Sequence, residues 1–273
     1  MTIRRYEKKY LLDYARYRAL LAAIRPQLRE DPHSAPEKGY TVTSLYYDTP
    51  GLDGYRDKQD GVARRTKLRI RVYGIETAPR DAYVEIKEKD GIAVAKRRIR
   101  TRLEPARRLC RGEVVPGLSA PDAAHASEVR YRVKRYALRP CCLVHYRRIA
   151  FCGTRFDPGL RVTFDRGTAY RVSGARLPVD FPLRPLVPAG RVILEIKFNR
   201  GFPAWLGALV RGHDLGAVRL GKYCLAMNAH SRRLERALSL RDSPRGGTLQ
   251  APPRKETDPV SAAFSSPSGG EGR

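Results

Sequence analysis

The sequence predicts the α+β class, as an antiparallel domain or a closed barrel and not a doubly wound sheet. Two observations carry this. Stretches such as "TKLRIRVYG" and "VILEIKFN" alternate apolar and charged residues at period two, the signature of strands with unlike faces. Most are joined by connections short enough for antiparallel pairing, with helical periodicity confined to the start, middle and end and no βαβ alternation.

In chain order, a first strand brings Glu7 and Lys9. Residues 13–29 follow with helical spacing and Asp13 as the N-cap. A Pro- and Gly-bearing loop runs from Asp31 to Gly39. "YTVTSLYYDTP" (40–50) is β-branched and aromatic and stops at a turn. "TKLRIRVYG" (66–74) puts Lys67, Arg69 and Arg71 on one face and Leu68, Ile70 and Val72 on the other. "DAYVEIKEKDG" (81–91) and "IAVAKRRIR" (92–100) flank an Asp-Gly hairpin turn. About 101–137 reads as helices. Strands return at 141–151, 159–167 and 191–199, about eight in all, then a short helix at "AWLGALVRG" and a terminal one at 222–238. Residues 1–242 form one domain. The Pro/Gly/Ser-rich tail, 243–273, has too few apolar residues to pack and is expected to be disordered.

Bulk chemistry narrows the function. Of 273 residues, 54 are Lys or Arg and 28 Asp or Glu, a net charge of +26. Such an excess repels itself unless an anionic partner offsets it. Nucleic acid, anionic lipid and phosphorylated small molecules or polymers are the candidate classes; an Arg-biased proteome is the plain alternative. No apolar run approaches the ~18–20 residues needed to span a bilayer. Charges interrupt every apolar stretch near the N-terminus, so no signal peptide is expected and the cytoplasm is. Five cysteines without CxxC spacing read as reduced thiols, and no His pattern suggests zinc hydrolase chemistry.

The charged strand faces recur: Glu7 and Lys9; Lys67, Arg69 and Arg71; Glu85, Lys87 and Lys89; Lys96, Arg98 and Arg100; Arg148; Arg161 and Asp165; Glu195 and Lys197. Facing water, they would be solvated pairs of little energetic weight. Facing inward in a dry barrel, unpaired charges would cost several kcal/mol each. A wet lumen holding a polyanion with metal ions reconciles the pattern, with Arg forks on phosphate oxygens and carboxylates on a hard cation.

At these residues the sequence resembles the VTC (vacuolar transporter chaperone) polyphosphate polymerase domain, of the triphosphate tunnel metalloenzyme superfamily. The similarity spans about residues 3–238. It is carried by "RYEKKYLL" (5–12), "SLYYDTP" (44–50), "KLRIRVYG" (67–74), "YVEIKEK" (83–89), "KRRI" (96–99), "HYRRIAF" (145–151), "LRVTFD" (160–165), "ILEIKF" (193–198) and "GKYCLAM" (221–227). No one motif is specific; their ordered series is.

The resemblance implies a closed antiparallel β-barrel tunnel of the CYTH/triphosphate-tunnel type, with flanking helices. It implies transfer of the ATP γ-phosphoryl group to a growing polyphosphate chain, with Mn²⁺ or Mg²⁺ required. Carried over by motif, the phosphate-binding cations are Lys9, Arg69, Arg71, Lys87, Lys96 (or Arg98), Arg148, Arg161, Lys197 and Lys222, joined by Tyr146. Glu195 is the expected metal ligand, assisted by Glu7 and Glu85. Lys87, Arg69, Arg71 and Glu195 form the expected catalytic set. Gly221 stands where the family usually has Ser. Expected partners are ATP and inorganic polyphosphate, with no nucleic acid and no membrane span, though a membrane partner for the product stays open. The chain is expected to be a stand-alone catalytic module, without the SPX domain and membrane helices of eukaryotic members. A triphosphatase or polyphosphatase of the same fold and a non-catalytic polyphosphate binder are the rival readings.

Overall fold

The computed structural model describes residues 6–32, 39–74, 81–91, 93–199 and 201–242. The predicted tail, 243–273, lies outside the described residues. Ten strands and six helices follow one another: β1 (Tyr6–Leu12), α1 (Tyr14–Ile24), β2 (Arg29–Glu30), β3 (Tyr40–Asp48), α2 (Asp53–Gln59), β4 (Arg65–Tyr73), β5 (Ala82–Asp90), β6 (Ala93–Thr101), α3 (Leu103–Cys110), α4 (Ala120–Arg135), β7 (Arg139–Cys152), β8 (Arg161–Arg171), β9 (Arg184–Pro185), β10 (Val192–Phe198), α5 (Ala204–Gly212) and α6 (Lys222–Asp242).

Eight strands form one antiparallel sheet in the order β1-β10-β8-β7-β3-β4-β5-β6; the two-residue strands β2 and β9 pair with β7 and β8. The class is α+β, as expected. The expectation of a closed barrel is corrected: β1 and β6 do not pair, so the sheet curls into a half-barrel. The edge of β1 supplies a reason. Its Lys9 carbonyl accepts the Val218 N–H at 2.8 Å, and Lys9 Nζ donates to the Leu220 carbonyl at 2.8 Å. The segment leading into α6 therefore lies where a closing strand would bind.

Period-two alternation decides the layering. On the outer face, Tyr17, Leu20 and Ile24 of α1 and Leu206 and Val210 of α5 pack on Phe151, Val162, Phe164, Leu194 and Ile196. Tyr17 meets Phe164 edge-on, with centroids 5.4 Å apart; such a pair adds about 0.5–1.5 kcal/mol beyond burial. Asp13 caps α1 by accepting the Arg16 N–H at 2.8 Å, worth about 1 kcal/mol. Farther round, α3 and α4 cover Leu68, Ile70, Val72, Val84, Ile86 and Ile99. With helices on that apolar side, Lys67, Arg69 and Arg71 are left facing inward.

One element enters the hollow. Tyr223, Cys224, Ala226 and Met227 of α6 pack against the inner-face residues Val42, Tyr46, Cys142, Val144 and Tyr146, flooring one end of the groove. The short helix α2, which the sequence did not reveal, braces it. Asp48 accepts the Gly54 and Tyr55 N–H groups at 2.9 and 3.0 Å and the Tyr223 hydroxyl at 2.5 Å. All five cysteines are free thiols. No helix of the described residues is long and apolar enough to cross a membrane.

Candidate active site

A cavity of about 180 Å³ occupies the groove between the inner faces of the sheet and the first turn of α6. Ten of the residues expected from the sequence line it: Glu7, Lys9, Arg69, Arg71, Lys87, Tyr146, Arg148, Glu195, Lys197 and Lys222. They come from six separate elements and meet only because the sheet curls. Lys67, Tyr46, Gly221 and Tyr223 complete the wall. Eight cations thus face two carboxylates.

Three fixed centres organise these charges. Asp165, fully buried, receives Arg148 as a two-point fork, Nε to Oδ1 at 2.7 Å and Nη2 to Oδ2 at 2.9 Å. Lys222 Nζ lies 2.6 Å from Oδ2. Burial alone would raise the Asp165 pKa; Arg148 and Lys222 overcome it and hold the carboxyl below its ordinary value. Burial likewise works against the Lys222 ammonium, but Asp165 keeps its pKa raised. The Tyr146 ring lies beneath both cations, 5.1 Å from the guanidinium and 4.7 Å from the ammonium, an arrangement that favours cations.

The second centre is Glu85, 1% exposed. Its Oε2 accepts Arg69 Nε at 2.7 Å, while Oε1 accepts Arg98 Nε at 2.8 Å and meets Lys96 Nζ at 2.8 Å. Burial pushes its pKa up, and Arg69, Arg71 and Lys96 drive it far below the usual carboxylate range. Arg69 also donates to the Tyr46 hydroxyl at 3.1 Å, and Arg71 to Ser44 Oγ at 3.0 Å. Glu85 thereby aims Arg69 and stands outside the cavity wall, apart from Glu7 and Glu195. Lys96 and Arg98 are likewise its partners, beside the cavity.

Glu7 and Glu195 make the third. Glu195 is 6% exposed; burial raises its pKa, and Lys197, Lys9, Lys222 and Arg148 hold it well below the ordinary value. Burial and the Glu195 charge raise that of Glu7, yet Lys9 and Lys197 keep it lowered. Lys87 reaches into the groove from the opposite wall and has no ion pair among the described residues. Enclosure lowers its pKa, with Lys9 and Arg69 adding repulsion and the two carboxylates opposing it. Arg161 stands off the cavity wall, paired with Asp31 and 3.4 Å from the Tyr40 hydroxyl.

Among the described residues no group of three or more His, Cys, Asp or Glu side chains is placed to hold a metal. Two carboxylates nevertheless suit a hard divalent cation that arrives with phosphate, since Mg²⁺-type sites take one or two carboxylates plus phosphate oxygens. The donor set fits such an ion at Glu195 and Glu7. Gly221 accepts the first helical N–H, Leu225 to its carbonyl at 2.8 Å. The 21-residue helix α6 thus turns its N-terminus, the end that favours anions, to the cavity.

Sequence reasoning placed Lys67 and Asp165 among the charged strand faces without giving either a role, and missed Tyr46 and Tyr223 as parts of the site. Asp165 carried a signal: it is an acid two positions along from Thr163 and four from Arg161, on a face that otherwise collects cations. The tyrosines carried none, because aromatic residues on a strand or helix read as core.

A half-barrel with a groove walled by eight cations and two acids defines an α+β protein suited to phosphate-rich anions. The family model of the VTC domain matches residues 4–230, and the chain belongs to that family. The chain is similar to a crystal structure of a candidate adenylate cyclase from Bacillus halodurans, at 11% identity and a TM-score of 0.45, over 80% of this chain and 95% of that one. It is also similar to a chain of the Schizosaccharomyces pombe Mediator head module, at 9% identity and a TM-score of 0.36, over 86% of this chain and 94% of that one. No curated protein matches.

Proposed function

We propose that the protein is a polyphosphate polymerase that moves the γ-phosphoryl group of ATP onto a growing inorganic polyphosphate chain. The observation that carries this reading is the convergence of eight cations on one groove of a VTC-family chain, with only Glu7 and Glu195 among them. Such an excess suits a ligand with many negative charges in a row.

Phosphoryl transfer needs alignment and charge neutralisation more than a protein nucleophile. A terminal oxygen of the polyphosphate chain attacks the γ-phosphorus. The bond from that phosphorus to the β-bridging oxygen breaks, and ADP leaves. Arg69, held by Glu85 and Tyr46, and Arg71, held by Ser44, present fixed guanidinium groups to the transferring phosphoryl oxygens. Lys87 adds a movable point charge. Arg148 and Lys222, locked on Asp165, orient the neighbouring phosphates. A Mn²⁺ or Mg²⁺ ion at Glu195 and Glu7 would supply Lewis-acid neutralisation of phosphate charge.

The lack of strand pairing between β1 and β6 favours one second reading. A groove open along its side admits water, and water as acceptor would make the protein a triphosphatase or polyphosphatase. One assay separates the two. Purified protein with ATP and Mn²⁺ is expected to yield long-chain polyphosphate on a gel, with ADP in step. Release of free phosphate alone assigns the hydrolase, and neither product with tight polyphosphate binding overturns both.

A further inference from the structure

The pairing of β1 with β10 has a consequence for the two groove carboxylates. Both strands read Glu-x-Lys on their inner face, Glu7/Lys9 and Glu195/Lys197. Antiparallel register sets Glu7 opposite Lys197 and Lys9 opposite Glu195. Two like sequences thereby become a square of alternating charge. Lys9 Nζ meets Glu7 Oε1 at 2.7 Å. Lys197 Nζ contacts Glu195 Oε1 directly and lies 3.9 Å from Glu7 Oε2. Its ammonium therefore stands between the two carboxylates that face the cavity.

We infer that Lys197 is an internal counter-ion, holding the place between Glu7 and Glu195 until a divalent cation takes it. The inference rests on the reading of the groove as a metal-assisted polyphosphate site. An ammonium and a divalent ion cannot share one pair of carboxylates, because like charges at contact repel strongly in a partly enclosed site. Metal entry thus requires the ammonium to leave, and the four-carbon stem of lysine permits the swing. The displaced ammonium then faces the groove, where phosphate oxygens lie. Lys197 in this way serves the carboxylates without metal and the polyanion with it. Metal and polyphosphate bind with positive coupling, which must be reciprocal.

The test is Mn²⁺ affinity of the full chain without nucleotide, followed by the electron paramagnetic resonance signal of free Mn²⁺. Lys197→Met is expected to bind Mn²⁺ about tenfold tighter than the parent, within the range typical of such couplings. Lys197→Arg, which keeps a cation there, is expected to stay near the parent. Lys8→Met removes the same charge from the outward face of β1, where Lys8 lies over the Phe202 ring, and is expected to leave Mn²⁺ affinity little changed. Adding Glu195→Gln to Lys197→Met should abolish the gain. Lys197→Gln serves the same purpose should the methionine variant not fold. The inference is overturned if Lys197→Met binds no tighter, or if Lys8→Met gains as much, since only the bulk field would then be at work. Absence of Mn²⁺ binding by every folded variant overturns it too. A tenfold gain together with no polyphosphate product from ATP would sink the polymerase reading and leave this one standing.

Discussion

The guanidinium of Arg148 lies in a two-point fork on the buried carboxylate of Asp165, and the Lys222 ammonium shares the Oδ2 of that carboxylate. Desolvating an acid and two cations is costly, and the cost is met only while all three stay together. Asp165→Asn keeps the shape but leaves Arg148 and Lys222 without their counter-charge. Removing one partner of a buried pair typically costs about 3–5 kcal/mol, and urea unfolding is expected to show a loss of that order. A change below about 0.5 kcal/mol, the usual range for a surface substitution, would mean that solvent already screens the cluster.

Lys87 has the opposite character. It reaches into the groove and is paired with no carboxylate among the described residues; burial lowers its pKa, and the repulsion of Lys9 and Arg69 works against the attraction of Glu7 and Glu195. Such a group costs the empty protein stability and serves the ligand. Lys87→Met should therefore leave the melting temperature unchanged or higher. Polyphosphate synthesis should fall on the order of 10²–10³-fold, as for loss of one transition-state donor. Melting curves and a product gel on one preparation check both halves, and a destabilised variant would contradict the argument.

Strand identity and face were legible in the sequence because each follows from a two-residue period within one segment. Leu68, Ile70 and Val72 could be set against Lys67, Arg69 and Arg71 without knowing what either faced. Closure was not legible. Whether β1 meets β6 depends on the 218–220 segment reaching the edge of β1, a contact more than 200 residues apart in sequence. The site divides the same way. Glu195 stood out as an acid on a cationic strand, with Glu7 and Glu85 alike as its assistants. Glu85 carried the same Glu-Ile-Lys pattern as Glu195, yet its neighbours Arg69, Lys96 and Arg98 come from β4 and β6 and absorb its charge. Only pairing across strands distinguishes the two copies.

That distinction predicts a pH dependence. Glu85 has a folded-state pKa far below its ordinary value of 4.5, so as the pH falls the unfolded chain takes up this proton first. Its contribution is complete above the ordinary value and is lost as the pH falls toward the folded one. Asp165 and Glu195 act in the same direction. Wild-type stability should therefore decline on acidification below about pH 5. Glu85→Gln should start less stable at pH 7 and decline less steeply. Urea midpoints measured between pH 7 and pH 3 check it, and parallel curves for the two proteins would contradict the assignment.

Gly221 offers a gain rather than a loss. It precedes α6, lines the cavity, and its φ lies outside the left-handed region; a Cβ built there meets only Cys224 Sγ, at 4.0 Å. Serine therefore fits without displacing a neighbour. At the N-cap its hydroxyl would accept an orphan N–H of the first turn, where Ser exceeds Gly by only a few tenths of a kcal/mol. The larger effect is on the ligand, because the same hydroxyl can turn its hydrogen to a phosphate oxygen and contribute about 0.5–1.5 kcal/mol. Gly221→Ser is expected to bind tripolyphosphate about 2–10-fold tighter by calorimetry, the range those energies convert to, with the melting temperature raised slightly. An affinity equal to the parent would show that the phosphate chain does not pass the N-terminus of α6.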